Sequence, residues 1–428
     1  MSANSIEGSV SRQSSTPMPN TQVALTPAPP SPTKSASLTE TDASTATGTV
    51  TATDAPFSTQ ETRLIRQCLE VDSALPSDAI SRDIVVMDNN SLLNMTTGQI
   101  TQITGKQKHL DRVAISLDMK LMAFDNILLN KEGHISGYEL NIATADGEQQ
   151  KVIPFEDKWM DIIDWTNDQR LLLSYDESIT SSDGHQISIS YLVMDPFTGE
   201  QQILRPDFPN YFNITIPWYR RGVIYDPALT RAIYARFIDE NEEMYTLGLW
   251  DVDNQLLVTS LENVFLNSVY FSKQTPLPRW SPDGSQFVVV GVVLAYEELV
   301  TFEIYRVSRD GQVEQLTQLS PTARIYPTSL SWSPNGHYIA MFLDDWYGID
   351  NPRVALLDME TLEITDYCIP VRGVVPPPLW SPDGTQFLVV DRYEDDHQYV
   401  ILVDIVQGFA AIITEDMEPV GWMVSPQE

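Results

Sequence analysis

The chain has 428 residues, 42% of them hydrophobic and 20% charged, enough apolar side chain for one large buried core or for two to three ordinary ones. No apolar run approaches the roughly 18 to 20 residues of a membrane-spanning helix, and the longest, from Gln286 to Val293, has strand length. A net charge of −33 repels phosphate backbones and argues against nucleic-acid binding, while leaving cations and basic proteins or peptides as partners; the plainer reading is a solvated acidic surface.

Half of residues 1–60 are Ser, Thr or Pro and a single one, Phe57, is aromatic. Such a segment buries too little apolar surface to offset its ordering entropy, so a disordered tail is expected. Met1 to Val10 show neither a basic n-region nor an apolar h-region, and no signal peptide is read there. Tails of this composition often tether a domain outside a bacterial membrane, which makes an extracytoplasmic or surface-tethered setting an open expectation. Residues 61–82 form a lead-in segment that contains Cys68. The other cysteine, Cys368, is far along the chain. Neither lies in a Cys-x-x-Cys pair or beside a His cluster, so zinc is not read. They could bridge the lead-in segment to a late repeat or remain unpaired, and the sequence leaves both open.

From residue 83 onward, short β-branched and aromatic runs alternate with Gly, Pro, Asn and Asp. Asp83-Ile-Val-Val-Met-Asp, Ser91-Leu-Leu-Asn-Met and Ile100-Thr-Gln-Ile-Thr read as three strands lacking a first one. Four-stranded units follow. Arg112 to Phe124 is paired with Tyr138 to Gly147, Ile162 to Leu173 with Tyr191 to Leu204, and Gly222 to Tyr234 with Leu247 to Gln255. The clearest copies come last. Their first hairpins are Leu277-Pro-Arg-Trp280-Ser-Pro-Asp-Gly284, Leu330-Ser-Trp332-Ser-Pro-Asn-Gly336 and Pro378-Leu-Trp380-Ser-Pro-Asp-Gly384, each followed by an apolar strand. Pro presets φ at one turn position and Gly accepts φ > 0 at another, which is hairpin chemistry. Units of 40 to 60 residues built this way have the size of a propeller blade. The final Pro419-Val-Gly-Trp422-Met-Val-Ser-Pro426 reads as the missing first strand of the opening unit. The expectation is therefore an all-β fold, a seven-bladed propeller over residues 83–426, with six to eight as the range. Its N- and C-terminal strands share one blade. Closure removes the strand edges that an open ring would expose.

The Trp-Ser-Pro-Asp-Gly turns resemble TolB-like propeller repeats and are similar to the propellers of the prolyl oligopeptidase family. The resemblance covers residues 83–426. It loosens in the early units, where Ser116-Leu-Asp-Met and Thr166-Asn-Asp-Gln replace the turn. It implies fold more than activity: TolB-like repeats commonly serve as protein-interaction platforms. The hydrolase half of an oligopeptidase would need a Gly-x-Ser-x-Gly elbow, and none occurs. The five histidines share no ligand spacing. No catalytic residue, P-loop, dinucleotide fingerprint or EF-hand loop is read. The recurrent Trp165, Trp280, Trp332, Trp380 and Trp422 are read as structural.

What rises above background is a set of acidic connections between second and third strands. They are Asp239-Glu240-Asn-Glu242-Glu243, Tyr296-Glu297-Glu298, Asp344-Asp345-Trp346-Tyr347-Gly-Ile-Asp350 and Tyr393-Glu394-Asp395-Asp396-His397. Arranged radially, they would form a carboxylate and aromatic rim around the channel, suited to a basic peptide or protein. The ordinary reading is that these are solvated loops. No cofactor is expected, with Ca²⁺ the one ion that such oxygen-rich loops could hold. The expected role is a monomeric, non-enzymatic binding module. The alternative is a propeller-type hydrolase or lyase with a metal at the channel mouth.

Overall fold

The computed structural model describes residues 49–51, 62–76, 83–88, 90–103, 113–130, 132, 134–155, 160–181, 184–204, 223–239, 244–265, 278–295, 299–319, 325–345, 351–373, 376–393 and 397–425. Every regular element among them is a strand, and none is a helix that could cross a membrane. The expected tail thus lies outside the described residues, apart from Thr49–Thr51. That short strand pairs in parallel with Ser260 to Glu262.

Seven antiparallel four-stranded units follow the order of the chain. Blade 1 contains Ile84–Met87, Ser91–Asn94 and Ile100–Gln102. Blade 2 is Val113–Ile115, Leu121–Leu129, Ile135–Thr144 and Gln149–Phe155. Blade 3 is Met160–Trp165, Leu171–Ser181, Gly184–Met194 and Gln201–Leu204. Blade 4 is Val223–Tyr225, Arg231–Asp239, Met244–Asp251 and Leu256–Phe265. Blade 5 is Arg279–Trp280, Gln286–Ala295, Leu299–Ser308 and Val313–Gln315. Blade 6 is Ile325–Trp332, Tyr338–Asp345, Arg353–Asp358 and Ile364–Pro370. Blade 7 is Leu379–Trp380, Gln386–Arg392, Gln398–Asp404 and Phe409–Glu415. The C-terminal strand Pro419–Met423 then pairs antiparallel with Ile84 to Met87 and supplies the first strand of blade 1. The seven-bladed wheel closes as the terminal repeats predict.

The core is distributed between blades. Each of the seven interfaces has its own apolar cluster, so central strands are buried on both faces and read as continuous apolar runs. Phe287-Val-Val-Val290 and Phe387-Leu-Val-Val390 are examples, all nearly inaccessible.

The recurrent tryptophans act at these interfaces. Each indole Nε1 donates to a carbonyl on the preceding blade's first strand: Trp165 to Ala114 (3.0 Å), Trp332 to Arg279 (3.0 Å), Trp380 to Ser331 (3.0 Å) and Trp422 to Leu379 (2.9 Å). Trp280 reaches Ile224 at 3.4 Å. Burying an indole requires a partner for its N–H, and the neighbouring strand supplies one at the same step each time. Blades 2 and 4 carry Ile115 and Tyr225 at that position. Ile115 packs against Gly421, where a Cβ would lie 2.5 Å from Ile115 Cγ1. Tyr225 meets Tyr191 edge-on at 5.5 Å.

The turns that diverge in sequence keep their geometry. In Trp280-Ser-Pro-Asp-Gly, Ser281 Oγ donates to Asp283 (2.6 Å) and accepts the Gln286 N–H (3.2 Å). Ser116 does the same with Asp118 (2.7 Å) and the Leu121 N–H (2.9 Å). Thr166 repeats it with Asp168 (2.5 Å) and the Arg170 N–H (3.0 Å). The left-handed position that Gly284 occupies at φ +66° is held by Met119 at +55° and Gln169 at +59°.

The lead-in segment has structure that the sequence reading lacks. Leu64–Arg66 adds in parallel to the outer edge of blade 6, against Ile364 to Asp366. Val71–Asp72 adds likewise to blade 7, against Ala410 and Ala411. Between them Cys68 is bonded to Cys368, closing the choice that the sequence leaves open.

Candidate functional site

Antiparallel meanders give the wheel two faces. Tips joining third and fourth strands hydrogen-bond to the Pro-Asp-Gly turns, as Arg309 N–H does to the Ser285 carbonyl (2.8 Å) and Ile405 N–H to that of Thr385 (3.1 Å). These share one face. The Asp residues of those turns are hydrogen-bonded within them, and the Ser281 hydroxyl holds Asp283 below the usual carboxylate range.

The acidic connections belong to the other face. Their flanking strands show it: each follows the second strand of a blade and precedes the third, in blades 4, 5, 6 and 7. These blades are consecutive, so the connections are laid along an arc. Counted with the strand-end residues Asp239, Asp344 and Asp345, they carry four, two, three and three carboxylates in order; between the strands alone the counts are three, two, one and three, with no Lys or Arg. The corresponding connections of blades 1 to 3, Asp88-Asn-Asn90, Asn130-Lys-Glu-Gly-His134 and Ser182-Asp183, carry at most one each. Glu240, Glu242, Glu243, Tyr296, Glu297, Glu298, Trp346, Tyr347, Asp350, Glu394, Asp395 and Asp396 lie outside the described residues. Asp239, Asp344, Asp345 and Tyr393 lie within them.

Asp239 ends its strand opposite Met244. Asp344 is half-buried and accepts the Tyr326 hydroxyl at 2.9 Å and the Asp345 N–H at 2.8 Å. Burial pushes its carboxyl upward, and these two hydrogen bonds oppose the shift. Tyr326 is on the first strand of the same blade, so Asp344 ties the base of the connection to the channel strand. Tyr393 is 37% exposed, yet one ring face is already covered: the Arg372 guanidinium carbon stands 3.8 Å from the centroid. Tyr399 meets the ring edge-on at 5.5 Å.

The sequence reading missed the arginines of this face. Arg372 pairs with Asp391 (3.2 Å), Arg392 with Glu418, and Arg353 with Asp366 (3.1 Å). All three carboxylates are buried; burial pushes Asp391 upward, opposed by the Arg372 N–H and charge. Each of these three cations is thus paired within the fold. Only the cross-strand register brings these partners together, since they stand 13 to 26 residues apart in sequence. No group of three or more His, Cys, Asp or Glu is placed to hold a metal among the described residues.

No family model and no curated protein matches the chain. Solved structures do. It is similar to TolB from Acinetobacter baumannii at 14% identity, covering 78% of each chain, with a TM-score of 0.41. It is also similar to oligogalacturonate lyase from Vibrio parahaemolyticus at 13% identity, covering 80% of this chain and 83% of that one (TM-score 0.46). For the β-propeller domain of the Trilobed protease from Pyrococcus furiosus the identity is 13%, the coverage 73% and 84%, and the TM-score 0.43. The names span a lyase and a protease, and at these scores the likeness carries nothing about activity.

Proposed function

We propose that this propeller is a non-catalytic binding module that engages a basic protein or peptide through the acidic arc of blades 4 to 7. One observation supports the reading: segments 239–243, 296–298, 344–350 and 393–397, which follow the second strands of four neighbouring blades, hold twelve carboxylates and no Lys or Arg, while Arg353, Arg372 and Arg392 among the described residues pair with buried carboxylates. Such a one-signed arc raises the local concentration of a cationic ligand and orients its approach. Trp346, Tyr347 and Tyr296 supply aromatic surface for arginine or lysine stems, whereas Tyr393 has one face already taken.

The test is direct binding of a Lys/Arg-rich peptide, followed by fluorescence anisotropy at low and at high salt, with a Glu-rich peptide of equal length as control. Charge reversal of Glu242, Glu243, Asp395 and Asp396 to Lys should lower affinity by at least about tenfold, given several lost charge contacts. Asp344 is left intact because it accepts the Tyr326 hydroxyl. Equal affinity in the reversed variant would end the proposal.

A further inference from the structure

The lead-in strand closes the wheel a second time. The inner closure is the pairing of Pro419–Met423 with Ile84–Met87. The outer one begins where Thr62 hydrogen-bonds Gln318, beyond the last strand of blade 5 (3.1 Å). The segment next runs along the edge of blade 6, passes outside blade 7 and leads into blade 1. Blade 7 is thereby enclosed between its own strands and this strap.

The noncovalent hold on the strap is two short parallel ladders, of three and two residues, and a few flanking hydrogen bonds. Gln67 N–H donates to the Asp366 carbonyl (2.9 Å), Leu69 N–H to Tyr367 (3.0 Å), and Ile364 N–H to Arg63 (3.0 Å). Leu64, Leu69, Val71 and Leu75 are only partly buried against the clusters below. The Arg63–Glu363 pair is exposed and worth little. The covalent hold is Cys68–Cys368, and the fold is arranged to present it. The buried Asp366 carboxylate accepts the Cys368 N–H (2.8 Å) where Cys368 takes a left-handed φ of +58°. Cys68 is exposed.

We infer that Cys68–Cys368 is a redox latch: a dithiol reductant reaching the exposed Cys68 releases the strap and uncovers the outer edges of blades 6 and 7, without opening the wheel. The thiolate of the dithiol attacks Cys68 Sγ, the disulfide breaks, and Cys368 leaves as a thiolate that takes a proton from water. The second thiol of the reductant resolves the mixed disulfide. Two electrons pass to the cystine pair and the dithiol ends as its own disulfide. The latched state belongs to an oxidising compartment, and transfer to a reducing one unfastens it. Such solvent-reachable disulfides are the ones that exchange readily.

Amide hydrogen exchange on the full chain, before and after dithiothreitol, tests this, with the Cys68→Ser/Cys368→Ser variant beside it. Protection at Gln67, Leu69 and Ile364 should fall by at least about tenfold on reduction and stay low in the variant, while blades 2 to 5 keep theirs. Trypsin should cut after Arg66 correspondingly faster. An unchanged strap overturns the latch, since the strand would then hold on its own. Equal loss in every blade also overturns it, because the bond would be a staple for the whole fold.

Discussion

Glu303 lies on the third strand of blade 5 with 2% of its surface exposed, accepting the Thr317 hydroxyl (2.7 Å) and the Leu319 N–H (3.0 Å). Burial raises its pKa to about 7, against hydrogen bonds that favour the ionised form. The unfolded chain loses this proton near 4.5, so between about 4.5 and 7 the folded state alone still holds it. The contribution is full below that window and is lost as pH rises through it, a change on the order of 3 kcal/mol. Glu303→Gln keeps the shape and an acceptor, so the gap between variant and parent should widen in the variant's favour from pH 4 to pH 8 in urea titrations. Parallel pH profiles would show that Glu303 does not titrate there. At the same scale, the Trp-Ser-Pro-Asp-Gly turns were readable because each residue type has one job. The early turns were harder to read because Met119 and Gln169 stand where Gly is expected. A left-handed non-Gly residue costs about 1–2 kcal/mol, so a sequence reader does not propose one. The Ser116–Asp118 and Thr166–Asp168 hydroxyl–carboxylate pairs offset that cost and were visible all along.

Strands that belong to hairpins announce themselves by their turns, and the last three complete blades were found that way; the earlier ones followed from that template, and the first from the strand runs at the two ends. The strap has no such signal. Its strands are three and two residues long, and they add in parallel to edges 300 and 339 residues away. Nothing local encodes that pairing; Cys68 was the one residue that pointed there. The closing strand is the opposite case, being recognisable by Trp422. Its interface with blade 2 makes a sharper test of closure than its sequence does. Gly421 faces Ile115 so closely that a methyl group must displace it. Gly421→Ala should destabilise the fold by about 1–3 kcal/mol, the usual cost of overpacking. Ile115→Ala alone leaves a cavity. Combining the two should recover at least about 1 kcal/mol relative to the sum of the single effects in a double-mutant cycle. Additive losses would mean that the C-terminal strand does not press on blade 2.

Across the whole molecule, a formal charge of −33 is carried on a wheel whose described cations are largely committed to single carboxylate partners. The acidic arc was legible as loop composition. Its place on consecutive blades followed from the chain order of the repeats, and the arginine pairs at that end became visible only once register was known. Pairs on buried carboxylates are screened little, which leaves repulsion among the excess carboxylates as the main long-range term that salt can weaken. Raising salt should therefore do two opposite things. Thermal stability should rise as self-repulsion is screened, and a Lys/Arg-rich peptide should bind less tightly over the same range. Calorimetry and anisotropy on one salt series separate these effects. A melting temperature that falls with salt would show that ion pairs, and not excess charge, govern the fold. The acidic arc would then lose its standing as a surface held at an electrostatic cost.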